Sequence, residues 1–218
     1  MKFLSGIMVL PKLLFENDRV RVSDLRLSPG DSIQTTLSFP TVRWQVDQGW
    51  HQGPNGQRIK VDDKKVLFEE AGAECSIENV GDILYRQVWF EIKKEPLRTE
   101  EQVQKILNNA VYSTNVGTTL LLENRWCRVW DFYLKPGEGD PMVPHHHVLD
   151  YVFVYVAKGR LLGYSHDGKH GLFDSVNDDC DVTWFDIPQG AEKDVSYAHG
   201  GKNGYDDLPM REYLVELK

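Results

Sequence analysis

Apolar and polar positions alternate in short runs along most of this chain. Val20, Val22, Leu25 and Leu27 fall within one brief extended run that stops at Pro29-Gly30. Residues 151–156, YVFVYV, are apolar on both faces, the pattern of a strand buried inside a barrel or sandwich. Turn-forming clusters follow at Lys158-Gly159, Asp167-Gly168, Asn177-Asp178-Asp179, Pro188-Gln189-Gly190 and Gly200-Gly201. Many short strands at this spacing predict an all-β sandwich or barrel. One segment has a different period. Thr99-Glu100-Glu101-Gln102 is a capping-box pattern, and Val103, Ile106, Leu107, Ala110 and Val111 then mark one helical face. A single amphipathic helix over about residues 99–112 is expected there, as a linker.

The chain also repeats itself. FENDRVRVSDLRLSPG at 15–30 matches LENRWCRVWDFYLKPG at 122–137 at a constant offset of 107. Glu16, Asn17, Arg21, Val22, Asp24, Pro29 and Gly30 recur as Glu123, Asn124, Arg128, Val129, Asp131, Pro136 and Gly137. The halves close alike, with VWFEIK at 88–93 and YLVELK at 213–218. Identities in register over this length indicate a duplicated domain. The expected organisation is an N-terminal domain over 1–94, a helical linker over 95–116 and a C-terminal domain over 117–218.

Composition narrows the function classes. The 218 residues are 41% hydrophobic and 27% charged, with a net charge of −8, an ordinary globular balance whose field repels phosphate backbones. Nucleic acid is therefore not the expected partner. No apolar run approaches the roughly 20 residues that span a bilayer, so no membrane partner is expected either. The three cysteines (Cys75, Cys127 and Cys180) lack CxxC spacing, which argues against a disulfide framework or zinc knuckle and for a reducing, cytoplasmic setting. The start, MKFLSGIMVLPKLLFEN, has a short apolar stretch without a clear small-residue cleavage site. It is expected to form a strand or arm, with Met8 an alternative to Met1 as the start.

Residues 139–159, GDPMVPHHHVLDYVFVYVAKG, resemble the first motif of the cupins: a glycine, five residues, HxH, a buried strand and a glycine. FENDRVRV…PG, the HxHxxDYV form and the FEIK/VELK endings are similar to small single-domain cupins associated with β-alanine degradation. The resemblance covers nearly all of 11–94 and 117–218. It implies a bicupin: all-β, two tandem double-stranded β-helix (jelly-roll) barrels joined by one α-helix, each with a pocket in its cup.

A strand places residues i and i+2 on one face, so His145 and His147 can share one first-row metal while His146 points the other way. The family's glutamate position falls here near Val152, as in the HxHxxDYV subgroup with Asp150 and Tyr151. The second motif reads Gly190-Ala191-Glu192-Lys193, which puts Lys193 where the family has its third histidine. An ammonium is no ligand. Candidate substitutes for the third bond are Asp150, Glu192 and His199. His166 and His170 are expected to be exposed and structural.

The first half keeps no imidazole at these positions. Thr36 and Ser38 stand for the HxH pair and Cys75 for the second-motif histidine, so no metal is expected there. Of Arg43 and Trp44, the simpler reading makes the arginine outward and the tryptophan core. Residues 47–58, DQGWHQGPNGQR, read as a polar loop with His51 as decoration.

These residues support two functional readings. In the first, the C-terminal barrel holds one divalent metal (Fe, Mn, Ni or Zn) through His145 and His147, acting as an oxygenase, isomerase or lyase. It takes a small polar or carboxylate-bearing metabolite, with Lys193 as anion anchor or proton donor. In the second, the barrel is a metal-free small-molecule-binding or structural pseudo-enzyme module. Catalysis by Lys193 as a Schiff-base amine, its pKa lowered by burial, is a third option. A homodimer is compatible with all three.

Overall fold

The computed structural model describes residues 7–52 and 56–218. The first six residues of the expected N-terminal arm lie outside the described residues. The chain divides into two compact units, Met1–Glu95 and Pro96–Lys218.

The first unit runs β1 (Lys12–Glu16), β2 (Val20–Leu27), β3 (Ser32–Thr36), β4 (Thr41–Gln45), β5 (Gly49–Gln52), β6 (Arg58–Val61), β7 (Val66–Glu69), β8 (Glu74–Glu78) and β9 (Tyr85–Ile92). One sheet has the order β1-β2-β9-β4-β7; facing it are the pairs β3-β8 and β5-β6, bridged by His51 and Asn79. Within the segment read as a polar loop, residues 53–55 lie outside the described residues, and the strands on either side of them pair, with Trp50 opposite Lys60 and His51 opposite Ile59. The alternation in 47–58 is masked by Gly and Gln, which carry no strand signal.

The second unit opens with α1 (Glu100–Asn109). Thr99 Oγ1 accepts from the Gln102 amide and Gln102 returns a bond to the Thr99 amide, the reciprocal cap read from the sequence. Its apolar face buries Val103 against Val148 and Leu149, so the helix packs on the second unit. The strands follow: β10 (Thr119–Glu123), β11 (Cys127–Leu134), β12 (His145–His146), β13 (Asp150–Tyr155), β14 (Gly159–Ser165), β15 (His170–Asn177), β16 (Val182–Phe185), β17 (Ala198–Asn203) and β18 (Met210–Leu217). They form sheets of order β10-β11-β18-β13-β16 and β12-β17-β14-β15. Each unit is therefore a jelly roll built on a five-stranded sheet, with a four-stranded sheet completing the second unit and two strand pairs completing the first. Among the described residues no helix is long and apolar enough to cross a membrane.

The repeat is carried by polar contacts as well as by topology. Asn17 Oδ1 accepts the amides of Arg19 and Val20, and Asn124 Oδ1 those of Trp126 and Cys127. Arg86 pairs with Asp24 at 2.9 Å, and Arg211 with Asp131 at 2.7 Å. Arg21 meets Glu16 and Glu91, as Arg128 meets Glu123 and Glu216. Even the register shift in the first strand recurs, between Leu13 and Phe15 and between Leu120 and Leu122.

Asn79 and Asn203 hold matching turns. Asn79 Nδ2 donates to the carbonyls of Leu27 and Ile83; Asn203 Nδ2 donates to those of Leu134, Lys135 and Leu208. Their Oδ1 atoms accept the amides of Gly81 and Tyr205. Removing a buried group of this kind strands its partners, so Asn203→Ala should destabilise the fold by about 2–3 kcal/mol. Denaturant unfolding should show this against Lys158→Ala, an exposed control expected to shift stability by less than about 0.5 kcal/mol.

Candidate metal centre

β12 is only two residues long, yet it fixes three imidazoles. His145 pairs with His199 and His146 with Ala198 across β12 and β17. Strand alternation then turns His145 and His147 to one face and His146 to the other. His146 is fully buried, its Nε2 3.1 Å from the Asp194 carbonyl, with the Tyr112 ring edge-on to it. The His146 amide donates to Ser113 and the His147 amide to Tyr197, which ties the short strand on both flanks.

On the inward face, ligand nitrogens of His145, His147 and His199 all lie within 4.8 Å of one another. His145 Nε2 and His147 Nε2 are 3.1 Å apart. Tyr151 stacks on His147 at 4.1 Å between ring centroids, and Phe173 meets His199 edge-on. Burial, reinforced by the neighbouring rings, holds His145 and His147 well below the usual imidazole range, and burial alone lowers His199 to about 4. All three are neutral near pH 7, the form that binds a metal ion without displacing a proton.

The imidazoles open onto a cavity of about 510 Å³. Its walls are mainly apolar and aromatic, with Phe132, Tyr151, Phe153, Phe173, Phe185 and Leu214 prominent, and among the described residues its lining includes no Lys or Arg. Glu212 lines the facing sheet; burial pushes its carboxyl up to about 7, and the Tyr155 hydroxyl beside it pulls part of the way back.

Among the expected site residues, the structure brings together His145, His147 and His199. Lys193 is not with them: it is exposed in a short 3-10 turn, Ala191–Lys193, and is absent from the cavity lining. The role of anion anchor or proton donor inside the cup therefore does not hold for it. Asp150 Oδ1 accepts the Ile187 amide at 2.8 Å and braces the chain after β16, outside the imidazole group. Glu192 lies beside α1, lining a different hollow with Gln102 and Lys105. His170 is exposed as expected, whereas His166 is half-buried against Tyr112.

The misplacement of Lys193 has a traceable cause. Gly72 and Gly190 both take positive φ, 85° and 90°, so they are matching turns. Cys75 follows three residues after Gly72, but His199 follows nine residues after Gly190. The extra residues form two 3-10 turns, which the motif spacing does not anticipate. Counting back four from Asn79 and Asn203 gives Cys75 and His199 directly, and that was the signal available in the sequence. The same register corrects the first half. Thr35 pairs with Cys75 as His145 pairs with His199, so Thr35 and Leu37, rather than Thr36 and Ser38, occupy the HxH positions.

The interior of the first barrel is closed by side chains. Gln87 Nε2 donates to Tyr85 Oη and Gln45 Oε1, and Trp89 Nε1 donates to Gln87 Oε1. Leu37 and Cys75 pack into the surrounding core. Arg43 points inward and is buried, Nη1 3.2 Å from Cys75 Sγ and Nε 2.8 Å from a Glu69 carboxylate oxygen. The outward placement expected of it is thus overturned, because that ion pair lets the sheet bury a charge.

No family model and no curated protein matches the chain. Solved structures do. A cupin 2 conserved barrel domain protein from Leptotrichia buccalis superposes with TM-score 0.51 at 12% identity, covering 98% of this chain and 90% of that one. The chain has the cupin fold. A salicylate 1,2-dioxygenase from Pseudaminobacter salicylatoxidans is also similar, with TM-score 0.53, 10% identity and coverage of 98% and 77%. Bacillus subtilis oxalate decarboxylase, described with Mn(II) centres, gives TM-score 0.51, 10% identity and coverage of 92% and 69%.

In this cupin barrel Glu212 produces a specific pH dependence. Its native pKa lies above the unfolded value of 4.5, so the folded state keeps a proton that the unfolded state releases. That stabilisation is complete below pH 4.5 and is lost as pH rises through about 7. Glu212→Gln should remove a loss of about 3 kcal/mol over this window, read by chemical unfolding at pH 4.5 and 7.5. Equal slopes for variant and parent would contradict the assignment.

Proposed function

We propose that the C-terminal cupin barrel is a metal-dependent small-molecule site. The observation that carries this reading is the convergence of three neutral imidazoles on one wall of a cavity. The donor set suits a first-row divalent ion (Fe, Mn, Ni or Zn) and leaves positions free for a ligand. His145, His147 and His199 would hold the ion, which supplies Lewis acidity or a dioxygen-binding position when bound. The aromatic walls exclude water from the ligand and favour a flat or apolar body. Among the described residues the His147 Nδ1 atom has no hydrogen-bond partner, so the ring is held by stacking on Tyr151 instead of by the usual outer hydrogen bond. An oxygenase, isomerase or lyase acting on a small metabolite is the reaction class this arrangement serves. With no Lys or Arg among the described lining residues, a ligand carboxylate would depend on the metal for its counter-charge. The first barrel, lacking the three imidazoles, serves as a structural half.

A metal-free binding module is the second reading, favoured by the 3.1 Å contact between His145 and His147, which lets one ring donate to the other. Metal analysis of untagged protein prepared without chelators separates the two. The metal-site reading expects near-stoichiometric first-row metal in the parent and in Lys193→Ala, with at least tenfold less in His145→Ala and in His199→Ala. Metal-free parent protein, or full retention of metal in His199→Ala, would overturn it.

A further inference from the structure

The cavity has polar groups on the sheet opposite the imidazoles. Glu212 on β18 and Tyr155 on β13 are register partners, both buried. Among the described residues Glu212 Oε1 is buried without a hydrogen-bond partner, while the Tyr155 hydroxyl borders Glu212, Ser175 and Asn177, all of which line the cavity. A buried acceptor left unpaired is costly, and native structures rarely keep one without a use.

The first barrel shows what the scaffold does at this position when it is closed. There Gln45 and Gln87 are register partners on the equivalent strands, and they bond to each other, to Tyr85 and to Trp89. The open barrel has a carboxyl and a phenol in place of the two amides, and both residues line the cavity. Around them stand Phe132, Phe153 and Phe173.

We propose that Glu212, with Tyr155, Ser175 and Asn177 beside it, is a second polar subsite that accepts a hydrogen bond from a hydroxyl or amine on an aromatic or apolar-bodied ligand. The ligand class is then a small phenol, aryl alcohol or aryl amine lying between this subsite and the imidazole wall. The proposal rests on reading the cavity as a ligand site, but not on a metal being bound.

The test uses the full chain and two probes of similar size, phenol and toluene, in equilibrium binding with and without Zn(II). The parent should prefer phenol. Glu212→Leu should weaken phenol about tenfold without weakening toluene, and Glu212→Gln, which keeps an acceptor oxygen, should hold phenol within about threefold. An unchanged phenol-to-toluene ratio in Glu212→Leu would overturn the proposal. Infrared spectroscopy of the parent gives a readout that does not depend on the variant folding. Phenol should shift a carboxyl band that Glu212→Gln deletes and toluene should not; a band unmoved by phenol refutes the subsite. Zinc stoichiometry on the same samples separates the two readings. A phenol preference without bound zinc supports this subsite while the metal reading fails. Bound zinc without that preference refutes the subsite alone.

Discussion

The pairing of β12 with β17 is two residues long, and the position of every imidazole in the cavity depends on its register. A slip of one residue would send His145 and His147 outward and bring His146 in. Several contacts oppose such a slip. Ser113 and Tyr197 take the amides of His146 and His147, and the Asp194 carbonyl sits 3.1 Å from His146 Nε2. The middle histidine of the HHH run therefore acts as a peg that keeps its two neighbours aimed inward. Hydrophobic burial of Val148 and Leu149 under α1 continues the same strap into β13.

Two barrels with one hydrogen-bonded frame have opposite interiors. The frame is set by groups that recur in both: the Asn17 and Asn124 turns, the Asp24–Arg86 and Asp131–Arg211 pairs, and the Asn79 and Asn203 clasps. Inside, Arg43, Gln45, Gln87 and Trp89 close one cup, while Phe153, Tyr155, Glu212 and Leu214 leave the other open. Filling a cup with a satisfied polar network costs little, whereas an open cup gives up packing and leaves polar atoms unpaired. The second barrel carries those costs at the imidazoles and at Glu212, where a ligand would offset them.

The fold was legible because its signals are local or repeated. The YVFVYV run, the turn clusters, the capping box at Thr99 and the 107-residue repeat each point to the observed elements. The two-residue strand period put His145 and His147 on one face, and the resemblance of residues 139–159 to the cupin motif implied that this face is the inward one. The third imidazole was assigned less well, because six residues coiled into 3-10 turns separate His199 from the turn at Gly190, and motif spacing carried Lys193 into its place. Glu212 and Arg43 were opaque for a different reason. Both lie on strands with two buried faces, where alternation no longer says which side is the cavity.

The most direct measurement of the central claim is an anomalous difference map from crystals of the full chain soaked in Zn(II). A single strong peak about 2.1 Å from one nitrogen of each of His145, His147 and His199 is the expected result. A map with no peak between these rings, or with His199 turned away from the other two, would contradict the account.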